Sequence, residues 1–150
     1  MSINFEKYAA KGNEFLNRVA MRLGNPDNKE QAGRMLRCVL RALRNRITTE
    51  ESLQLMAQLP MAIKSLYVDG WTPTKYHPKI KSMDEFAEEV MKEDGFPAWR
   101  DFPTLADAMK AIEAVIKTIA DYVSAGELHD LIDVLPQDMQ SPFMEWSHTT

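Results

Sequence analysis

The sequence predicts an all-α protein, a helical bundle of about eight helices. Three observations carry this. Apolar residues recur at spacings of three and four along most of the chain, the spacing of one helix face. Eight prolines, Pro26, Pro60, Pro73, Pro78, Pro97, Pro103, Pro136 and Pro142, cut the chain into segments of helical length. The two-residue alternation of a half-buried strand is absent throughout.

Each element can be read in order. The first segment, about 4–23, aligns Phe5, Tyr8, Phe15, Leu16, Val19 and Leu23, with Gly24 placed to end it. Asp27, with Glu30 three residues on, reads as the start of a second helix that buries Leu36, Val39, Leu40, Leu43 and Ile47. Thr48 with Glu51 is a capping-box pattern for a short third helix ending near Leu59. Pro60 suits the first turn of a fourth, which runs to about Val68 and stops at Asp69-Gly70. After a loop, Ser82 with Glu85 opens a fifth helix carrying Met83, Phe86, Val90 and Met91. A second loop holds Gly95, Pro97 and Pro103. Thr104 with Asp107 then opens a sixth helix with Ile112, Val115, Ile116, Ile119 and Val123 inward. Ser124 with Glu127 caps a seventh, and Leu135-Pro136 leads into a last short one.

A shift of 76 residues places Ala32, Val39, Glu51, Leu55, Leu59, Pro60 and Ser65 on Ala108, Val115, Glu127, Leu131, Leu135, Pro136 and Ser141. The caps at Thr48 and Ser124 align as well, and Phe15-x-x-x-Val19 matches Phe86-x-x-x-Val90 at a shift of 71, the extra residues falling in the second half's loop. The expected organisation is therefore one domain over residues 1–150. Within it, repeat units of about 4–70 and 82–145 are joined by the loop 71–81. Each unit alone is near the size at which a core is marginal, so the two are expected to pack together.

Composition narrows the function classes. Of 150 residues, 45% are hydrophobic and 27% charged, values ordinary for a globular chain. One cysteine, Cys38, excludes an internal disulfide and points to a reducing, cytoplasmic setting. Glu6, Lys7, Lys11 and Glu14 interrupt any apolar signal core, and no apolar run approaches membrane-spanning length. The net charge of -4 hides a division. Residues 1–75 hold 12 basic and 7 acidic side chains, a balance of +5; residues 76–150 hold 6 and 15, a balance of -9.

The stretch Leu40-Arg-Ala-Leu-Arg-Asn-Arg-Ile-Thr-Thr-Glu-Glu-Ser-Leu-Gln-Leu-Met-Ala-Gln-Leu-Pro60, followed by Leu66-Tyr-Val-Asp-Gly-Trp71, is more specific than a generic helix. It resembles the bacterial family known as domain of unknown function 2267. Members typically show an Arg-rich helix, a Thr-x-Glu-Glu start, an Ala-Gln-Leu-Pro junction and a Tyr-x-x-Gly-Trp turn. Ala125-Gly-Glu-Leu and Val134-Leu-Pro136 look like the family's C-terminal part. The resemblance implies a small helical prokaryotic protein and carries over no catalytic or binding residue. Leu59, Pro60, Tyr67, Gly70, Trp71, Leu135 and Pro136 are read as structural motif positions.

The sharpest local feature is a cationic stripe. Arg34, Arg37, Arg41 and Arg44 recur at intervals of 3, 4 and 3, one face of the second helix, with Arg46 nearby. Such a face suits phosphate groups or an acidic protein surface, or ion pairs with the acidic half. Lys75 and Lys79 extend the candidate anion- or partner-binding set into the loop. Glu85, Glu88 and Glu89, and Glu127, Asp130 and Asp133, share helix faces, but the sequence holds a single Glu-x-x-His run, Glu145 to His148, where a di-iron bundle uses two. The histidines lack ligand spacing, no glycine-rich phosphate loop occurs, and no base stands near Cys38 in sequence. The reading is a non-catalytic protein-interaction or regulatory module, using no cofactor and no metal. It associates with itself or a protein partner; the alternative is binding of an anionic ligand or nucleic acid on the arginine face. No membrane partner is expected.

Overall fold

The computed structural model of the chain describes residues 3–73, 80–95 and 98–148, with the side chains of 98 and 99 aside. Among these residues every regular element is helical. In order they are α1 (Phe5–Arg22), α2 (Lys29–Arg44), α3 (Thr49–Ala57), α4 (Met61–Val68), α5 (Met83–Glu93), α6 (Ala98–Asp101), α7 (Leu105–Tyr122), α8 (Ala125–Asp133) and α9 (Gln137–His148). Eight have eight residues or more; α6 is a single turn, too short to show a period in the sequence.

Side-chain caps set most of the starts. Asn4, Asn28, Thr48, Ser82, Thr104 and Ser124 each accept a hydrogen bond from the backbone N–H three residues on. The second start is thus Asn28, one residue past the expected Asp27. Among the four patterns read as capping boxes, only Thr104 and Asp107 close reciprocally. Glu85 accepts from the Lys81 N–H instead. The Ser124 N–H is taken by the side chain of Gln58, at the end of α3. Gly24 and Gly70 adopt φ of 80° and 68°, the left-handed conformation that ends α1 and α4. Pro142 lies inside α9 rather than ending it.

The core is continuous. α2 and α7 each bury eight residues, more than any neighbour. α2 packs on α1, α4, α5 and α7; α7 packs on α1, α5 and α9 as well; α3 packs on α8. Phe15, Leu36, Leu40, Leu43, Phe86, Phe102, Ile112, Ile116, Ile119 and Phe143 are fully enclosed. Of the expected inward stripe of α1, Phe15 and Val19 are fully buried and Leu16 and Leu23 pack against the core, but Phe5 is 75% exposed and Tyr8 39%. The N-terminal turns of α1 therefore run past the end of the core.

The two Leu-Pro junctions fold alike. Leu59 and Leu135 are buried, and the Ile63 and Met139 N–H groups each donate to the C=O of the proline, Pro60 or Pro136, at 2.9 Å. Tyr67 is enclosed, bonds Ser52 through its hydroxyl at 2.6 Å, and meets Trp71 edge-on at 5.8 Å.

Candidate functional site

The four arginines of the α2 stripe have different environments. Arg34 makes a two-pronged pair with Asp101, Nε to Oδ2 at 2.8 Å and Nη2 to Oδ1 at 2.9 Å. Asp101 is 2% exposed, and Gln31 also donates to it. Arg44 donates at 2.7 Å to the carbonyls of both Tyr67 and Asp69, which ties down the exit of α4. Arg41 reaches the Asp69 carboxylate at 3.4 Å. Arg46, just past α2, pairs with Glu89 at 2.7 Å. Arg37 makes no ion pair among the described residues, and its Nε is buried with no hydrogen-bond partner. The stripe therefore offers one unmatched guanidinium rather than four. Lys75 and Lys79 lie outside the described residues.

Arg37 borders a concavity on the face of α2. This groove, about 630 Å³, runs between α1, α2 and α4. Its floor comes from small or apolar residues, among them Ala9, Gly12, Leu16, Gly33, Leu36 and Ala62. Glu30, Arg34, Arg37 and Asn13 supply polar groups at its walls. A pocket of this size with a few polar groups among apolar ones is the common form of a binding site. Within the turn before Ala9 on α1 stand Phe5 and Tyr8, whose rings meet edge-on at 6.4 Å. Phe5, Ala9 and Asn13 follow at intervals of four, one line down the helix.

Gly12 and Gly33 are the residues of this site that sequence reasoning passed over. A glycine inside a periodic helix usually marks close packing, and that signal was present. A Cβ at Gly12 would lie 2.5 Å from the Ala62 Cβ, so Gly12 is what lets α1 and α4 touch. A Cβ at Gly33 would meet only Leu16 Cδ1, at 3.9 Å, so Gly33 faces open groove.

Carboxylates gather elsewhere, in other forms. Asp94 is 6% exposed and neither of its oxygens finds a donor. Burial, with Asp101 alongside, raises it to about 6. Cys38 is enclosed nearby, and burial first, then Asp94, pushes its thiol to about 12. A thiol so raised is a poor nucleophile. Glu51 of α3 is 8% exposed and faces Glu127 of α8. Burial, then the Glu127 carboxyl, raises it to about 7. Glu85 and Glu88 are exposed, while Glu89 is the partner of Arg46. His129, Asp130 and Asp133 sit together on the exposed face of α8, with His129 Nδ1 3.2 Å from Asp133. His129 also borders a smaller concavity, about 280 Å³, together with Ser147 and His148.

No helix among the described residues is long and apolar enough to cross a membrane. The chain matches the family described as "Uncharacterized conserved protein (DUF2267)" over residues 12–141, a span that contains α2 to α8 whole and most of α1. No curated protein matches it.

Proposed function

The chain belongs to the DUF2267 family, and from that premise we propose that it is a non-catalytic docking module whose recognition surface is the groove between α1, α2 and α4. The observation that carries this reading is Arg37, the guanidinium of the stripe without an ion pair among the described residues, at the wall of a mainly apolar groove. A guanidinium without a carboxylate partner at a groove wall gains a charge-assisted hydrogen bond from a docking molecule that supplies an acceptor. Phe5 and Tyr8 add exposed aromatic surface of the kind enriched at interfaces.

The anion-binding alternative keeps Arg37 but loses most of its charge. Arg34, Arg41 and Arg44 already have acceptors within the fold, so a phosphate backbone would have to compete for them. We also read the chain as two related four-helix units, α1–α4 and α5 with α7–α9, docked through α2 on α7 and α3 on α8. The matching Leu-Pro turns and the placement of Glu51 opposite Glu127, its counterpart at a shift of 76, support that division.

The test is a photo-crosslinking amino acid placed at Asn13, in the groove, or at Lys110, exposed on α7. The groove position is expected to give a discrete adduct in cells, and Arg37→Glu to abolish it. Equal adducts from both positions, or none from Asn13, would reject the groove as the recognition surface.

A further inference from the structure

The groove carries its own complement. Its walls include Glu30 and Arg37, both on α2 and seven residues apart. Seven residues are two helical turns, about 10 Å along the axis on the same face. An acid and a base so placed are mutually complementary when the helix is laid antiparallel to a copy of itself. The same face also carries both a projection and a recess. Phe5, 75% exposed, and Tyr8, 39% exposed, stand on the α1 line that leads into the groove past Ala9 and Asn13. Ile3, 73% exposed, precedes them. Projection, recess and paired opposite charges on one surface are the requirements of an isologous contact, where residue i meets residue j and j meets i.

We propose that the occupant of the groove is a second copy of this chain. The two are related by a two-fold axis, with Phe5 of each protomer lying in the groove of the other and Arg37 of each against Glu30 of the other. This rests on the reading of the groove as the recognition surface and names its partner. The arrangement gives the Arg37 guanidinium its acceptor and covers the aromatic pair. A generic acidic partner would satisfy Arg37 but would leave Glu30, on the same wall, facing like charge. A polyanion fares worse for the same reason.

Charge swapping tests the two-fold directly by sedimentation velocity from low to high micromolar protein. The wild-type chain is expected to self-associate. Arg37→Glu alone sets acid against acid at both contacts, and Glu30→Arg alone sets base against base. Each is expected to weaken self-association by roughly tenfold or more. An equimolar mixture of the two variants restores both pairs, and is expected to regain the dimer. Because only folded chains can complement, recovery also shows that neither variant has unfolded. Gly33→Leu, which fills the groove, and Phe5→Glu are expected to dissociate it without recovery. A wild-type chain that stays monomeric, or a dimer indifferent to all four substitutions, overturns the proposal. The crosslink from Asn13 separates this from failure of the groove itself. An adduct with another protein keeps the groove and removes the second copy, whereas loss of the adduct removes both.

Discussion

A guanidinium and a carboxylate held by two parallel hydrogen bonds lose most when only one of them is removed. Arg34 and Asp101 are such a pair, and the carboxylate is the enclosed partner at 2% exposure. Burial alone would raise the Asp101 carboxyl; Arg34 and its other hydrogen bonds outweigh that and hold it below the usual carboxylate range. Arg34→Ala leaves that charge buried beside Asp94. Urea unfolding is expected to show a loss of about 2–3 kcal/mol, toward the lower end for a broken buried pair because Arg34 itself is partly exposed. Arg34→Lys should recover only part of this, since an ammonium cannot fork. An Ala variant as stable as the wild type would remove the clamp from the account. The stripe itself was legible at this scale, because intervals of 3, 4 and 3 define a face without any tertiary knowledge. Its meaning was not. The acceptors are Asp101, 67 residues away, and the carbonyls at the end of α4, and neither distance leaves a trace in the spacing.

Helix positions and starts were largely readable because caps act locally: an Asn, Ser or Thr bonds an N–H three residues on whatever the rest of the fold does. Where another element competes, the local rule fails. Gln58, just past α3, takes the Ser124 N–H, and Glu127 turns to Glu51 instead of closing its box. Proline misled once, at Pro142, where α9 continues through a residue that removes one hydrogen bond. Helical glycines show the same contest between local and tertiary terms, with opposite outcomes on neighbouring helices. Alanine is favoured over glycine in a helix by about 1 kcal/mol. At Gly33 nothing opposes this, and Gly33→Ala should stabilise by about 0.5–1 kcal/mol. At Gly12 the new methyl would lie 2.5 Å from Ala62 Cβ. Prying α1 from α4 is expected to outweigh the gain, giving a net loss of about 1–2 kcal/mol. Thermal unfolding of the two variants decides it: shifts of the same sign would mean that helix propensity, not contact, governs both sites.

Across the molecule, the +5 and -9 halves are joined by ion pairs that cross between them. Arg34 meets Asp101, Arg46 meets Glu89, and Arg18 and Arg22 meet Asp121. The division of charge was visible in the sequence, while its use within one chain needed the fold. One contact between the halves pairs like with like. Glu51 and Glu127 meet where α3 packs on α8, with Asp130 and Glu50 adding further negative charge. Burial first, then Glu127, raises Glu51 to about 7 from an ordinary value of 4.5. Between those values the folded chain holds a proton that the unfolded chain has released, so stability falls as pH rises through that window. Above about 7 Glu51 is ionised in the native state and the penalty is complete. Asp94, raised to about 6, acts in the same direction. Glu51→Gln removes the titration while keeping a side chain of the same shape. Near pH 8 the variant should be more stable than the wild type by about 1–2 kcal/mol, and near pH 5 the two should converge. Glu127→Gln should recover only part of this, because burial of Glu51 remains, and the double variant should gain little over Glu51→Gln alone. Urea midpoints at both pH values test this. A difference that does not change with pH would mean that the two carboxyls do not share a titration, and that α3 and α8 meet without an acid-stabilised contact.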